Sequence, residues 1–234
     1  MAADGTMVRP RATWMNMKSG QLAGWGGIAM LVAIIVNGPL SAARGLPDYW
    51  SVGAGADLGA YLADPARLRL AVVFFFLSTL IFVFGIPFFA GLRLALRAHG
   101  SSELLTSVLA IGAGLFFAGG LVSEVMSTGM ATVVQAAPSY VPDANAALGV
   151  QALQFAALLQ GQVGLGVAII AVSVAMWRVP GWRVVAIVGL VAGTIDLARP
   201  LAVAVPVLAL ALFVPTFVWI ALASLRLIRA DDNA

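Results

Sequence analysis

Three ionisable residues, Glu124, Asp196 and Arg199, stand inside or at the edge of otherwise apolar runs, and the amides Asn37, Gln160 and Gln162 stand in similar surroundings. Ionisable groups in lipid are costly, and by default they mark a ligand, ion or proton site. Glu124 is the candidate for titrating a proton, holding a cation or meeting a ligand's donor. Arg199 could hold an anionic group or set the charge of Asp196. The candidate binding set is Glu124, Asp196, Arg199, Gln160 and Asn37. Each has a plainer alternative. Asp196 and Arg199 are three apart and can pair on their own helix, and Arg199 can snorkel towards headgroups. Glu124 could reach water or bond Gln160, and Asn37 and Gln160 could be hydrogen-bonded glue between helices.

Much other chemistry is excluded by residue type. The chain has no cysteine, so thiolate metal sites, disulfides and cysteine nucleophiles are absent. His99 is the only histidine and falls in a loop, which excludes a bis-histidine haem, a His-Glu-x-x-His zinc site and a buried Ser–His pair. Lys18 is the only lysine and precedes the first apolar run, which excludes a retinal Schiff base at depth. No Gly-x-x-x-x-Gly-Lys phosphate cradle occurs. No catalytic residue, metal or cofactor is therefore expected. The 13 basic and 10 acidic residues are scattered in ones and twos, so no nucleic-acid surface is expected either.

The elements that must position these groups are set by hydropathy. The chain is 62% hydrophobic and 10% charged, with mean hydropathy +1.01; soluble domains carry about 25% charged residues. A span needs about 20 mostly apolar residues. The runs predict an all-α polytopic membrane bundle with spans at 21–43, 68–96, 103–133, 147–177, 183–199 and 203–226. These six transmembrane helices form one domain, 21–229, between a cytoplasmic N-terminal tail, 1–20, and a C-terminal tail, 230–234. The first run is too long for a signal-peptide core of about 7–15 residues. Asp64 before Pro65, Ser101 or Ser102, and Asp143 read as N-caps. Leu58, Tyr61 and Leu62 form an apolar stripe over 56–64, predicting a short extracytoplasmic helix on the surface or capping the bundle. Trp25, Trp177, Trp182 and Trp219 lie in or near spans, and several fit an interfacial belt.

Orientation follows from the basic residues. With six spans, one side carries Arg9, Arg11, Lys18, Arg93, Arg97, Arg178, Arg183, Arg226 and Arg229. The other carries Arg44, Arg67, Arg69 and Arg199. The positive-inside rule puts both termini in the cytoplasm. An arginine-, alanine- and glycine-rich composition points to a GC-rich bacterial genome, hence a bacterial inner membrane. Counted from the cytoplasmic ends at about 1.5 Å per residue, the five candidates lie roughly 20–30 Å up, in the outer part of the membrane. Asp196 shares a face with Gly189 and Gly193, a close-packing pattern that turns it towards a neighbouring helix. Only Arg199 is placed at that depth to neutralise an acid, so it should pair with Asp196 and leave Glu124 without a full counter-charge.

The Asp57-Leu58-x-x-Tyr61-Leu62-x-Asp64 segment resembles one in a group of bacterial multi-pass membrane proteins known as a domain of unknown function. So does the fourth helix running through Trp177-Arg178-Val179-Pro180-Gly181-Trp182-Arg183 into Gly189-Leu190-Val191-Ala192-Gly193. The resemblance spans most of helices one to five and implies six helices, with no substrate attached. Three functions remain open. The first is a transporter or sensor with an outward-facing polar pocket, which at this size would need to dimerise to transport. The second is a structural or accessory subunit that meets the bilayer and a partner protein, or its own copy, through glycine-rich faces. The weakest is an intramembrane lipid-modifying enzyme, because no nucleophile or metal set accompanies the acids.

Overall fold

A computed structural model describes residues 17–47, 53–137, 139–140, 143–202 and 213–230. Every described element is helical: α1 (Met17–Arg44), α2 (Ala54–Leu62), α3 (Pro65–Ala98), α4 (Glu103–Ala136), α5 (Ala144–Met176) and α6 (Arg183–Ala198). A 3₁₀ turn (Arg199–Ala202) follows α6, and α7 (Val214–Ala230) closes the chain. Five helices, α1 and α3 to α6, are long and apolar enough to cross a membrane. Of the expected sixth span, 203–226, the described residues hold only the part from Val214, in the 17-residue α7, which is not among those five; 203–212 lie outside the described residues, as do most of both tails.

The caps sit where side-chain chemistry demands them. Asp64 accepts the backbone N–H groups of Ala66 and Arg67, Ser102 that of Leu105, and Asp143 that of Ala146. Each satisfies donors that a helix start leaves open. At about 1.5 Å per residue, the 34-residue α3 and α4 run ~50 Å, well beyond a hydrocarbon core of about 30 Å. The overhang is where α2 docks. Leu58, Tyr61 and Leu62 bury against Leu68, Ala71, Ala131 and Ala147, so α2 caps the bundle with its expected stripe.

The long helices form a closed ring in chain order. α1 packs on α3, α3 on α4, α4 on α5, α5 on α6, α6 on α7, and α7 back on α1. The two ends of the ring differ. At the end holding the start of α1, Leu92, Leu96, Leu109, Ile169, Met176, Trp219, Ile220 and Leu227 fill it to a dry core. At the α2 end the interior is polar and hollow. Trp182 and Trp219 are buried, whereas Trp25 and Trp177 are exposed. Of the four tryptophans, Trp25 and Trp177 are thus the ones free to join an interfacial belt, while the loop before α6 and the α6 face of α7 turn the other two inward.

Candidate functional site

Asp196 and Arg199 are paired, as their spacing suggests. Arg199 Nη2 lies 2.6 Å from Asp196 Oδ1. The unit extends to two further helices. Arg199 Nη1 donates to Gln162 Oε1 at 2.8 Å, and Thr216 Oγ1 donates to Asp196 Oδ2 at 3.0 Å. The guanidinium also lies 3.6 Å over the Phe213 ring. Glycine lets α6 come close enough for this. A Cβ on Gly166 would stand 2.8 Å from the Gly193 carbonyl and 3.0 Å from Asp196 Cβ. The Gly189/Gly193/Asp196 face is a packing face, and its acid points into the ring.

The second polar unit joins α1, α3 and α4. Asn37 Nδ2 donates to Ser78 Oγ at 2.6 Å, and the Ser78 hydroxyl stands beside the Glu124 carboxyl. Arg44 Nη1 donates to Ser127 Oγ at 2.7 Å, with its guanidinium 4.1 Å over Phe74. Arg44 and Glu124 attract one another through space without forming an ion pair.

Between the two units lies a cavity of about 240 Å³, whose polar lining is Asn37, Ser41, Glu124, Gln162 and Thr216. Phe74, Phe82, Phe116, Phe213 and Phe217 supply much of the apolar wall. The cavity exceeds the ~150 Å³ of an apolar hole that admits benzene. Glu124 lines the cavity, and Asp196, Arg44 and Arg199 stand behind its wall.

Two expectations are corrected. Gln160 is exposed and lines a separate groove with Gly119, Ala156 and Ala157 on the outside of α4 and α5. Gln162 occupies the inner position instead, because two residues along a helix are about 200° apart around it. Arg44, expected in the outer loop, is the last residue of α1 and only 3% exposed. It follows Asn37 by seven residues and Ser41 by three, on the same helical face. Arg199 is thus not the only cation at this depth, and Glu124 has Arg44 beside it. Of the five candidates, Asn37 and Glu124 meet at the cavity, Asp196 and Arg199 flank it, and Gln160 lies outside.

Ser78, Thr216 and Arg44 are site residues not singled out from sequence. Ser78 had a usable signal, since Phe74, Ser78 and Phe82 repeat at four-residue spacing along one face of α3. Near α2, the Tyr61 hydroxyl is buried and makes no hydrogen bond among the described residues. Burial pushes its phenol above the ordinary range, against the weaker opposing pull of Arg44 and Arg67. His99 closes α3, its ring Nδ1 lying 2.8 Å from the Ala95 carbonyl oxygen. Among the described residues no cluster of three or more His, Cys, Asp or Glu could hold a metal. No family model, curated protein or solved structure matches the chain.

Proposed function

We propose that the chain is a six-span bacterial inner-membrane protein, with both termini cytoplasmic, that binds a small solute in an outward-facing pocket as a transporter or sensor. One observation carries this reading: the hollow between Asn37, Glu124, Gln162 and Thr216, with aromatic walls, at one end of a ring whose other end is solid. Small-molecule sites are mostly apolar concavities with a few placed polar groups, and this cavity has that composition. The four arginines assigned outside lie at the hollow end and most of the other nine basic residues at the solid end, which supports an outward opening. Tested against a chemically diverse set by thermal shift in detergent, the purified protein should be stabilised by compact molecules with an apolar body and a polar group. A flat response across the set counts against the pocket. Reporter fusions at Ala234 test the orientation: a cytoplasm-restricted reporter should be active there, and a silent one rejects it.

An accessory-subunit reading has one observation of its own. Gln160 exposes an amide beside the small residues Gly119, Ala156 and Ala157, a surface suited to a partner helix. Crosslinks from Gln160 to a stoichiometric partner, with no solute response, would favour it.

A further inference from the structure

The Ser78 hydroxyl stands beside the Glu124 carboxyl as its hydrogen-bonding neighbour. Its lone pair is used by Asn37 Nδ2. That leaves Asn37 Oδ1 and Glu124 Oε2, both shut off from solvent, and among the described residues neither accepts a hydrogen bond. Both side chains meet the same hydroxyl, so the two orphan acceptors belong to one small cluster that a single proton would satisfy. A buried acceptor without a donor is costly, and buried polar groups are ordinarily satisfied.

No donor of the surrounding described elements reaches either orphan, the Gln162 amide of α5 and the Ser41 hydroxyl of α1 included. The Gln162 carbonyl accepts from Arg199, and the Thr216 hydroxyl of α7 donates to Asp196. Asp196 and Arg199 are engaged with each other. From α2, the buried Tyr61 hydroxyl bonds neither orphan. Arg44 is the charged group that acts on Glu124, yet its Nη1 is spent on a neutral serine and its plane on an aromatic ring. A bare carboxylate in a dry interior would draw that guanidinium into contact, because Coulomb attraction is strong at low dielectric.

We propose that Glu124 carries a proton in this conformation, donated from Oε2 to Asn37 Oδ1, and that Asn37, Ser78 and Glu124 form a proton-binding site at the pocket wall. One proton turns one orphan acceptor into the donor the other lacks. Release breaks the Oε2–H bond, and the proton passes to water in the cavity once the carboxyl turns that oxygen out of the wall. The carboxylate left behind has a donor in waiting, since Arg44 Nε is buried without a partner among the described residues. Arg44 would then exchange Ser127 for Glu124, so the two protonation states have different hydrogen-bond sets. A metal cation fits less well, because three oxygens from three side chains are a sparse ligand set for a hard ion. The inference deepens the pocket reading by naming the proton as a co-ligand, and relies on that reading only for the proton's route.

Infrared difference spectroscopy on the full chain in lipid nanodiscs, titrated from acid to alkaline pH, tests it without any solute. The wild type should show a protonated-carboxyl C=O band at neutral pH that disappears on the alkaline side. Glu124→Gln should abolish the band. Asn37→Leu should move it, because the acid loses its hydrogen-bond acceptor. A wild type without the band at neutral pH, or a band unchanged in Glu124→Gln, overturns the proposal. So does a band erased by sodium at fixed pH, which would make the site a cation site. A solute screen that finds nothing leaves these bands in place, so failure of the pocket reading and failure of the proton site are separately visible.

Discussion

The Arg199 guanidinium and the Asp196 carboxylate face each other at 2.6 Å with 3% and 0% of their side chains exposed. Such a pair adds little net stability over a hydrophobic substitute, but halving it is expensive. Asp196→Asn leaves a buried guanidinium without its anion and should cost about 3–5 kcal/mol. Asp196→Asn combined with Arg199→Met should recover most of that loss, since no uncompensated charge remains. Thermal melting of the single and double variants in detergent checks the order. A double variant as unstable as Asp196→Asn would show that the pair is not the source of the cost.

Close approach of α4 and α5 gives a second outcome with an unusual sign. A Cβ on Gly119 would stand 2.6 Å from both the Gly161 nitrogen and the Ala157 carbonyl oxygen. Helix-interior Gly→Ala ordinarily gains about 0.5–1 kcal/mol. At Gly119 the backbone on the other side cannot give way, so Gly119→Ala should instead lose about 1–3 kcal/mol. Gly129, on the same helix with nothing within 4 Å of such a Cβ, is the control, and Gly129→Ala should melt at or above the wild type. Two variants moving together would refute the packing argument.

These two cases show what could be read from the sequence and what could not. The Gly189/Gly193/Asp196 repeat lies on one helix, so 3.6-residue periodicity alone turned that acid inward, and the i, i+3 arginine followed. The caps and the α2 stripe are equally local. Gln160 and Gln162 were harder, since both flank Gly161 and only the ring's closure decides which of two opposite faces is inside. Arg44 was missed because an arginine after an apolar run reads as a loop residue. Only burial of the last turn of α1 against α3 and α4 brings it under Ser127 and Phe74. The cavity itself is lined from five helices at once, and no single run encodes it.

Tyr61 supplies a pH dependence outside the apolar spans. Burial lifts its phenol above the ordinary value near 10. The folded state therefore keeps the proton at pH values where the unfolded chain has lost it. By linkage the stabilisation is fully present below pH about 10 and declines as pH climbs through and beyond that value. Tyr61→Phe removes the titration together with a buried hydroxyl that makes no hydrogen bond among the described residues. It should match or slightly exceed the wild type at neutral pH and melt with a shallower slope above about pH 10. Equal slopes for the two proteins would place the alkaline loss elsewhere.

Ser41 lines the cavity one helical turn beyond Asn37 and three residues before Arg44, so filling from this position separates the shape of the pocket from its charges. A phenylalanine ring here enters existing space beside Phe74 and leaves Glu124, Asp196, Arg44 and Arg199 untouched. Burying the ring gains about 1.5–3 kcal/mol. Imperfect accommodation costs about 1–3 kcal/mol. The two nearly cancel, so Ser41→Phe should melt close to the wild type. Any solute that stabilises the wild type should then produce no shift in Ser41→Phe, because about 240 Å³ cannot hold both the ring and a ligand of useful size. The protonated-carboxyl band of Glu124 should persist, since the Asn37–Ser78–Glu124 bonds lie in the wall and not in the space. A solute that stabilises Ser41→Phe as strongly as the wild type would place its site outside this cavity.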